Sequence, residues 1–359
     1  MSVATQKWKD EYVDALICEI SRRTDFFEKN AVIDTVYFGG GTPSLLSIQQ
    51  VQRIFNVIRN NFDVSESAEI TFEMNPEDVE KNYLKGLADV GINRLTIGVQ
   101  SFIESELRYL GRNHDVQRGV NAFALARQAG FQNICIDFLF GLPAKYSGDP
   151  QVNIEQVIKL KPEHISAYGL TMEPDTILLR QVEKDKMLPP DDEVTAQQFM
   201  FYMEQLAKLG YEHYEISSYA LPGFRSKHNS AYWKNVPYLG VGAGAHSYNL
   251  QQRWWNTGVI TDYIQGVNKN TFVGEAEILS EKDKYNDYII TSARTIEGMS
   301  LPFIREFFGD HYVAYFLKQI KKYAEKQYLY CKADNYILTD IGKLWSDEIA
   351  EHLMIENLD

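Results

Sequence analysis

The sequence predicts an α/β protein built on a parallel, barrel-like sheet and closed by a mainly helical C-terminal domain. Two observations carry this expectation. Short apolar runs recur at 33–38, 69–73, 94–100, 133–140, 164–170 and 212–217, each followed by a stretch of helical periodicity. Strand–helix alternation of this kind is the pattern of parallel α/β sheets. Polar residues also stand at or just past the ends of successive runs: Gly39-Gly40-Gly41-Thr42, then Glu73 and Asn75, Gln100, Asp137, Tyr168 and Glu215. Parallel sheets and barrels collect their active sites at that edge.

Trp8, Tyr12, Ala15, Leu16, Glu19 and Ile20 recur at spacings of three and four, so the chain is expected to open with an amphipathic helix over 8–23. Val36-Tyr37-Phe38 then runs into three glycines, Thr42 and Pro43. Adjacent glycines accept positive φ and let consecutive amides converge on a carboxylate or phosphate, with Thr42 adding a hydroxyl. Helices over 79–90, 116–129 and 194–209 find their stop signals in Gly91, Gly130 and Gly210. Asn75-Pro76 reads as a turn and cap. From Tyr211 to Asn256 the chain is dense in aromatics, histidine and glycine, a composition that suits either an aromatic core seam or a pocket for a flat apolar ligand. Residues 283–359 read as helical, interrupted by a hairpin around YLYCKADNYILT that turns at Ala333-Asp334-Asn335, which suggests a winged-helix-like module. The expected domains are 1–225, a connecting region 226–282, and 283–359.

Composition narrows the function. With 359 residues and 45% hydrophobic content the chain can bury a large core, and 36 basic against 49 acidic residues, a formal charge of −13, argue against binding a nucleic-acid backbone. Cys18, Cys135 and Cys331 are far apart and form no zinc-type spacing. Cys135, in a strand interior, reads as a small apolar side chain. Scattered thiols suit a reducing cytoplasm, no apolar stretch has the length of a membrane span, and Lys7, Lys9, Asp10, Glu11 and Asp14 occupy the place of a signal-peptide core. A cytoplasmic protein that does not itself span a membrane is expected.

VYFGGGTPS at 36–44, FEMNPE at 72–77, RLTIGVQSF at 94–102, LGRNH at 110–114, IDFLFGLP at 136–143 and ISAYGLTMEPDT at 165–176 occur in this order. Together they resemble the radical S-adenosylmethionine (SAM) proteins of the coproporphyrinogen III dehydrogenase family, and most closely its haem chaperone branch, from the first helix to the C-terminus. The resemblance implies a partial (βα)6 barrel holding SAM across its strand ends, with the triple glycine at the aminocarboxylate. The implied SAM contacts are Gly40, Gly41, Thr42, Glu73, Gln100, Arg112 and Asp137, joined by Gly169 and His246. Amides and Arg112 suit the carboxylate of this zwitterion, while Glu73 and Asp137 suit its ammonium or ribose hydroxyls. His228-Asn229-x-x-Tyr232-Trp233 is similar to a segment of the haem chaperones whose histidine is implicated in haem binding. It implies His228 as the ligand of haem iron, with Asn229, Tyr232 and Trp233 around the porphyrin.

One part of the family pattern is missing. The family's [4Fe–4S] cluster needs three cysteines spaced C-x-x-x-C-x-x-C on a loop that follows a first strand and precedes the helix at 8–23, and this sequence has none of them. We read the sequence as starting late, which leaves the strand at 33–38 with an unpaired, largely apolar edge; the other reading is a scaffold that has lost its cluster. The implied function is to hold haem and pass it to a haem-requiring membrane protein. An oxygen-independent coproporphyrinogen III dehydrogenase, which decarboxylates propionates by radical hydrogen abstraction, and a cluster-less protein that binds SAM or another nucleotide are the alternatives. Three scattered cysteines cannot supply three thiolates from one loop. Iron and sulfide assays on the 359-residue chain after anaerobic reconstitution are therefore expected to return background values; a stoichiometric cluster would overturn this.

Overall fold

The computed structural model describes residues 8–172, 176–184 and 186–356, so Glu173, Pro174 and Asp175 of the sixth motif lie outside the described residues. The chain divides into two compact units. One comprises Tyr37–Ile48 and Glu69–Ser226; the other comprises the chain up to Val36, Gln49–Ala68, and the chain from Lys227 onward.

The strands are β1 (Val32–Phe38), β2 (Asp63–Met74), β3 (Arg94–Gln100), β4 (Ile134–Phe140), β5 (His164–Gly169), β6 (Glu212–Glu215) and β7 (Ser218–Ala220). They form one sheet in the order β1-β2-β3-β4-β5-β7-β6, with β1 at its edge. Pairing is parallel from β2 to β5. It turns antiparallel at β7 and β6, which adds an antiparallel edge to the expected parallel sheet. The run 212–217 is not a single strand. It reverses at Ile216-Ser217, where the Ser217 amide donates to Glu215 at 3.1 Å and the Ser217 carbonyl accepts from Ala167 at 2.8 Å.

Period-two alternation gives the sheet two unlike faces. Phe72, Leu95, Ile97, Ile136, Phe138 and Ile165 are buried on one of them. Helices cover that face: Phe138 stacks with Tyr202 of the helix Asp192–Lys208, and Phe140 meets Phe199 of the same helix. The intervening residues, Thr71 and Glu73, Arg94 and Thr96, Cys135 and Asp137, His164 and Ser166, share the other face. The helix Lys81–Val90 begins after a short 3-10 turn, Pro76–Asp78, and ends as expected at Gly91, whose φ of +110° only glycine adopts without strain. Asn75 stands at the start of that turn but makes no capping bond with its side chain.

In the other unit, the connecting region contains a three-stranded antiparallel sheet that the sequence did not reveal: β8 (His246–Tyr248), β9 (Gln252–Asn256) and β10 (Gly274–Ile278), in the order β10-β9-β8. The C-terminal helices Glu281–Ala293, Leu301–Phe308, Asp310–Glu325 and Ser346–Leu353 close over Tyr285, Ile289, Phe316 and Ile349. Their expected hairpin is present as β12 (Leu329–Lys332) and β13 (Asn335–Leu338), and β11 (Met299–Ser300) adds a third strand. Its turn has two residues, Ala333 and Asp334, both at positive φ, because Asn335 already pairs with Lys332.

The helix Lys9–Arg22 buries a carboxylate. Glu19 accepts from the Tyr263 hydroxyl at 2.7 Å, the Gly242 amide at 3.0 Å and Asn256 Nδ2 at 3.0 Å, fastening the glycine-rich loop that leads into β8. Replacing Glu19 by alanine leaves these donors without an acceptor. Glu19→Ala is expected to lower the unfolding free energy by about 3 kcal/mol in denaturant titrations; a change below roughly 1 kcal/mol would mean that water replaces the carboxylate at little cost.

Candidate functional site

The C-terminal ends of β1 to β4 bring the expected residues of one unit together around Glu73. Tyr37, the penultimate residue of β1, donates its hydroxyl to Glu73 Oε1 at 2.6 Å, and the Gly40 amide donates to the same carboxylate. A Cβ on Gly39 would lie 2.4 Å from the Tyr37 ring and 2.9 Å from the Glu73 carboxylate, so a side chain cannot fit there. Gly40, at φ +77°, turns the chain out of the strand toward Gly41 and Thr42. The triple glycine is thus tied to Glu73 through Gly40 and is exposed.

Asp137, near the end of β4, is the second carboxylate. It accepts from Ser166 and from the Cys135 thiol, whose sulfur lies 3.5 Å away. Burial first, and the negative charge of Glu73 second, push its pKa up to about 6 against these hydrogen bonds and the field of Arg94. Burial likewise raises Glu73, against the bonds from Tyr37 and Gly40 and the field of Arg94.

Gln100 ends β3 at φ +69°, and the Ser101 amide bonds the Val99 carbonyl across it at 2.9 Å, the bond of a γ-turn. This conformation is costly for glutamine and persists only where the surroundings impose it. The side-chain amide folds back over Gly98, where a Cβ would lie 2.9 Å from Nε2. In the LGRNH segment, His114 is the anchor: Nε2 donates to the Val99 carbonyl at 3.0 Å and Nδ1 meets Glu77 at 3.2 Å. Arg112, two residues earlier, has neither a hydrogen bond nor an ion pair through its guanidinium among the described residues. Burial lowers its pKa, opposed by the charges of Glu77 and Asp137. Gly169 ends β5, and its missing side chain leaves room for Thr195 and Phe140.

Cys135 is not the apolar filler read from the sequence. Its sulfur lies 3.0 Å from His164 Nδ1 and 3.3 Å from Ser166 Oγ, while His164 Nε2 meets the Tyr214 hydroxyl at 2.7 Å. Sequence reasoning missed Arg94, His164, Ser166 and Tyr214; the signal was the alternation inside each apolar run.

The remaining residues lie in the other unit. His228, in the short helix Lys227–Trp233, has Nδ1 2.9 Å from Thr35 Oγ1 and Nε2 2.9 Å from the Tyr232 hydroxyl. Tyr232 packs edge-on against Tyr238, at 4.7 Å between ring centroids, and Tyr238 leads on to Tyr248. Trp233 lies under the Arg294 guanidinium and its indole N–H is buried without a hydrogen-bond partner among the described residues. His246, exposed at the start of β8, stacks on Trp255 at 5.6 Å. Asn229 is in the same helix as His228.

This arrangement, polar strand ends on a largely parallel sheet with a glycine loop after β1, defines a class, and the Radical SAM superfamily matches residues 10–151. The heme chaperone HemW of Lactococcus lactis is 31% identical over 349 residues, spanning 97% of this chain and 90% of that protein. Its counterpart in Bacillus subtilis is 32% identical, spanning 95% and 90%. The solved structure of coproporphyrinogen III oxidase (HemN) from Escherichia coli, a radical SAM enzyme, superposes with a TM-score of 0.82 at 24% identity, spanning 98% of this chain and 85% of that one. It shares the fold. The chain belongs to the HemW family of radical SAM proteins.

SAM suits the donor set on chemical grounds. Two half-buried carboxylates with raised pKa values call for a cation, and the glycine loop after β1 together with Arg112, whose guanidinium is unpaired among the described residues, calls for an anion; SAM carries both. A [4Fe–4S] cluster does not suit the cysteines described here, because Cys18 lies in the first helix, Cys135 is bonded on the sheet, and Cys331 is exposed on β12.

The raised carboxyl of Asp137 has a consequence for stability. Its folded pKa of about 6 exceeds the ordinary 3.8, so the ionised form costs stability above about pH 6 and the cost vanishes below about pH 4. Asp137→Asn removes that charge. It is expected to raise the unfolding free energy by about 1–3 kcal/mol near pH 7 and to lose the gain toward pH 4. Denaturant titrations at both pH values check this; a variant that is no more stable at neutral pH would show that Asp137 carries no strained charge.

Proposed function

We propose that this protein is a haem-binding delivery protein, a haem chaperone on a radical SAM scaffold, that takes haem at His228 and SAM at the strand ends. The observation that carries the haem reading is the pair of hydrogen bonds on His228. With the proton on Nδ1, donated to Thr35 Oγ1, the lone pair lies on Nε2, which accepts from the Tyr232 hydroxyl. A ligating histidine is oriented in this way, by an oxygen partner on the nitrogen that does not bind metal. Tyr232 is 37% exposed, so its hydroxyl can turn away and leave Nε2 to the iron. Tyr232, Trp233 and Tyr238 offer aromatic faces and edges to a porphyrin, and Asn229 stands in the same helix as His228. The relatives named heme chaperone support the same reading.

At the strand ends, Gly40, Gly41, Thr42 and Arg112 receive the aminocarboxylate of SAM, Glu73 and Asp137 its ammonium or ribose, and Gln100 and Gly169 complete the set. When bound, SAM would supply a sulfonium. The acceptor of haem is a haem-requiring membrane protein, met from the cytoplasmic side. No helix among the described residues is long and apolar enough to cross a membrane.

The test is a haem titration followed by absorbance. His228→Ala is expected to move the Soret band while weakening haem retention less than about tenfold, because burial of the ring against aromatics supplies most of the affinity. An unchanged Soret position would remove His228 as the iron ligand.

A further inference from the structure

Beneath Glu73 and Asp137 lies a charge that the ligand reading does not use. Arg94 begins β3, is 2% exposed, and stands opposite Thr71 of β2. Its side chain climbs the polar face of the sheet until Nη1 donates to Thr96 Oγ1 at 3.1 Å. Thr96 is in register with Glu73 on one side and Cys135 on the other, so the guanidinium reaches the row of Glu73, one inward position below Asp137. Its carboxylate neighbour, Glu69, is no closer than 3.9 Å, and Nε has no hydrogen-bond partner among the described residues. A buried arginine kept for its own ion pair would be bonded by both arms at under about 3 Å. Arg94 is held loosely by Glu69 and directed toward the row above.

We propose that Arg94 is the positioning residue of this site, a buried guanidinium that keeps Glu73 and Asp137 anionic for a cationic ligand. The proposal rests on the sulfonium reading and deepens it, by assigning the charge state of the ligand's carboxylates to a residue that does not touch the ligand. Two neighbouring half-buried carboxylates ionise together only at a cost that a compensating charge relieves. The groups around them are mostly neutral. β1 supplies the Tyr37 hydroxyl, raised by burial; β4 supplies the Cys135 thiol, pushed up to about 12 by burial. β5 supplies His164, held neutral by burial and by Arg94, and Tyr168, raised by burial. β6 adds Tyr214, raised by burial, and Glu215, while β2 adds Glu69. The cations in this set are Arg94 and Arg112. Arg94 acts on both carboxylates, whereas Arg112 stands against Glu77 and Asp137.

The experiment uses the full 359-residue chain in two measurements: carboxylate carbon NMR titration of Asp137 without ligand, and equilibrium dialysis with SAM and with S-adenosylhomocysteine, which lacks the sulfonium charge. In Arg94→Gln the Asp137 midpoint should rise by about one unit or more, and SAM binding near pH 7 should fall about tenfold and recover toward about pH 9. S-adenosylhomocysteine should be affected less, and Arg94→Lys should restore much of the original pH profile. If Arg94→Gln does not fold, Glu69→Gln serves instead: it frees Arg94 from its neighbour and should lower the Asp137 midpoint. A folded Arg94→Gln with an unmoved midpoint overturns the proposal, and so does an unmoved midpoint in Glu69→Gln. A shifted midpoint in a protein that binds no SAM at any pH supports Arg94 and removes the sulfonium reading alone.

Discussion

Holding Glu73 and Asp137 close together, each half-buried, is the constraint around which the polar face of the sheet is built. They sit near the ends of β2 and β4, on either side of β3, where each raises the cost of ionising the other. The surrounding residues answer that cost in detail. Tyr37 and the Gly40 amide donate to one carboxylate, and Ser166 and Cys135 to the other. A thiol pushed up to about 12 by burial is a hydrogen-bond donor rather than a nucleophile, so Cys135 belongs to this support. His164 is taken at both nitrogens, by Cys135 and Tyr214, and extends the network away from the strand ends. A buried polar network stays rigid only when its members are satisfied. Here most are, and the charge left over faces the strand ends.

The backbone yields where side chains cannot. Gly39 is a glycine because Tyr37 and Glu73 cross the space its Cβ would take, and Gly40 both donates its amide to the same carboxylate and turns the chain at φ +77°. Gln100 shows the opposite solution. A non-glycine residue is held at φ +69°, at a cost of the order of 1–3 kcal/mol, and with it the side-chain amide is aimed back along β3. Glycine there would relieve the strain and lose the amide. The register shift between Ile97 and Gln100 in the β3–β4 ladder marks the same departure.

The strand ends were legible in the sequence because each is a polar residue interrupting an apolar run. The polar face behind them was not, because runs such as EITFE and HISAY were read for their apolar content and not for their alternation. Arg94 illustrates the difficulty: at the start of a strand an arginine reads as a solvated end, whereas here it is buried and extends along the sheet. The hairpin of β6 and β7 escaped notice because Ile216-Ser217 carries none of the glycine or asparagine that marks a two-residue turn. His114 and Glu77 are 37 residues apart, and their contact is set by tertiary structure alone. The two units are made of separate stretches of chain, so no shift in composition announces them.

Strand β1 carries polar anchors of both kinds. Thr35 is bonded to His228 within one unit, and Tyr37 to Glu73 within the other. An edge strand with its first residue half exposed gains little from burial at that end, Val32 being 51% accessible. Hydrogen bonds from such a strand must then do the positioning that packing does elsewhere. Thr35 holds the Nδ1 side of the His228 ring, and Tyr37 holds one oxygen of the Glu73 carboxylate. Valine or phenylalanine at these positions would preserve the β-propensity of the run IDTVYF and its apolar character, and both anchors would be lost.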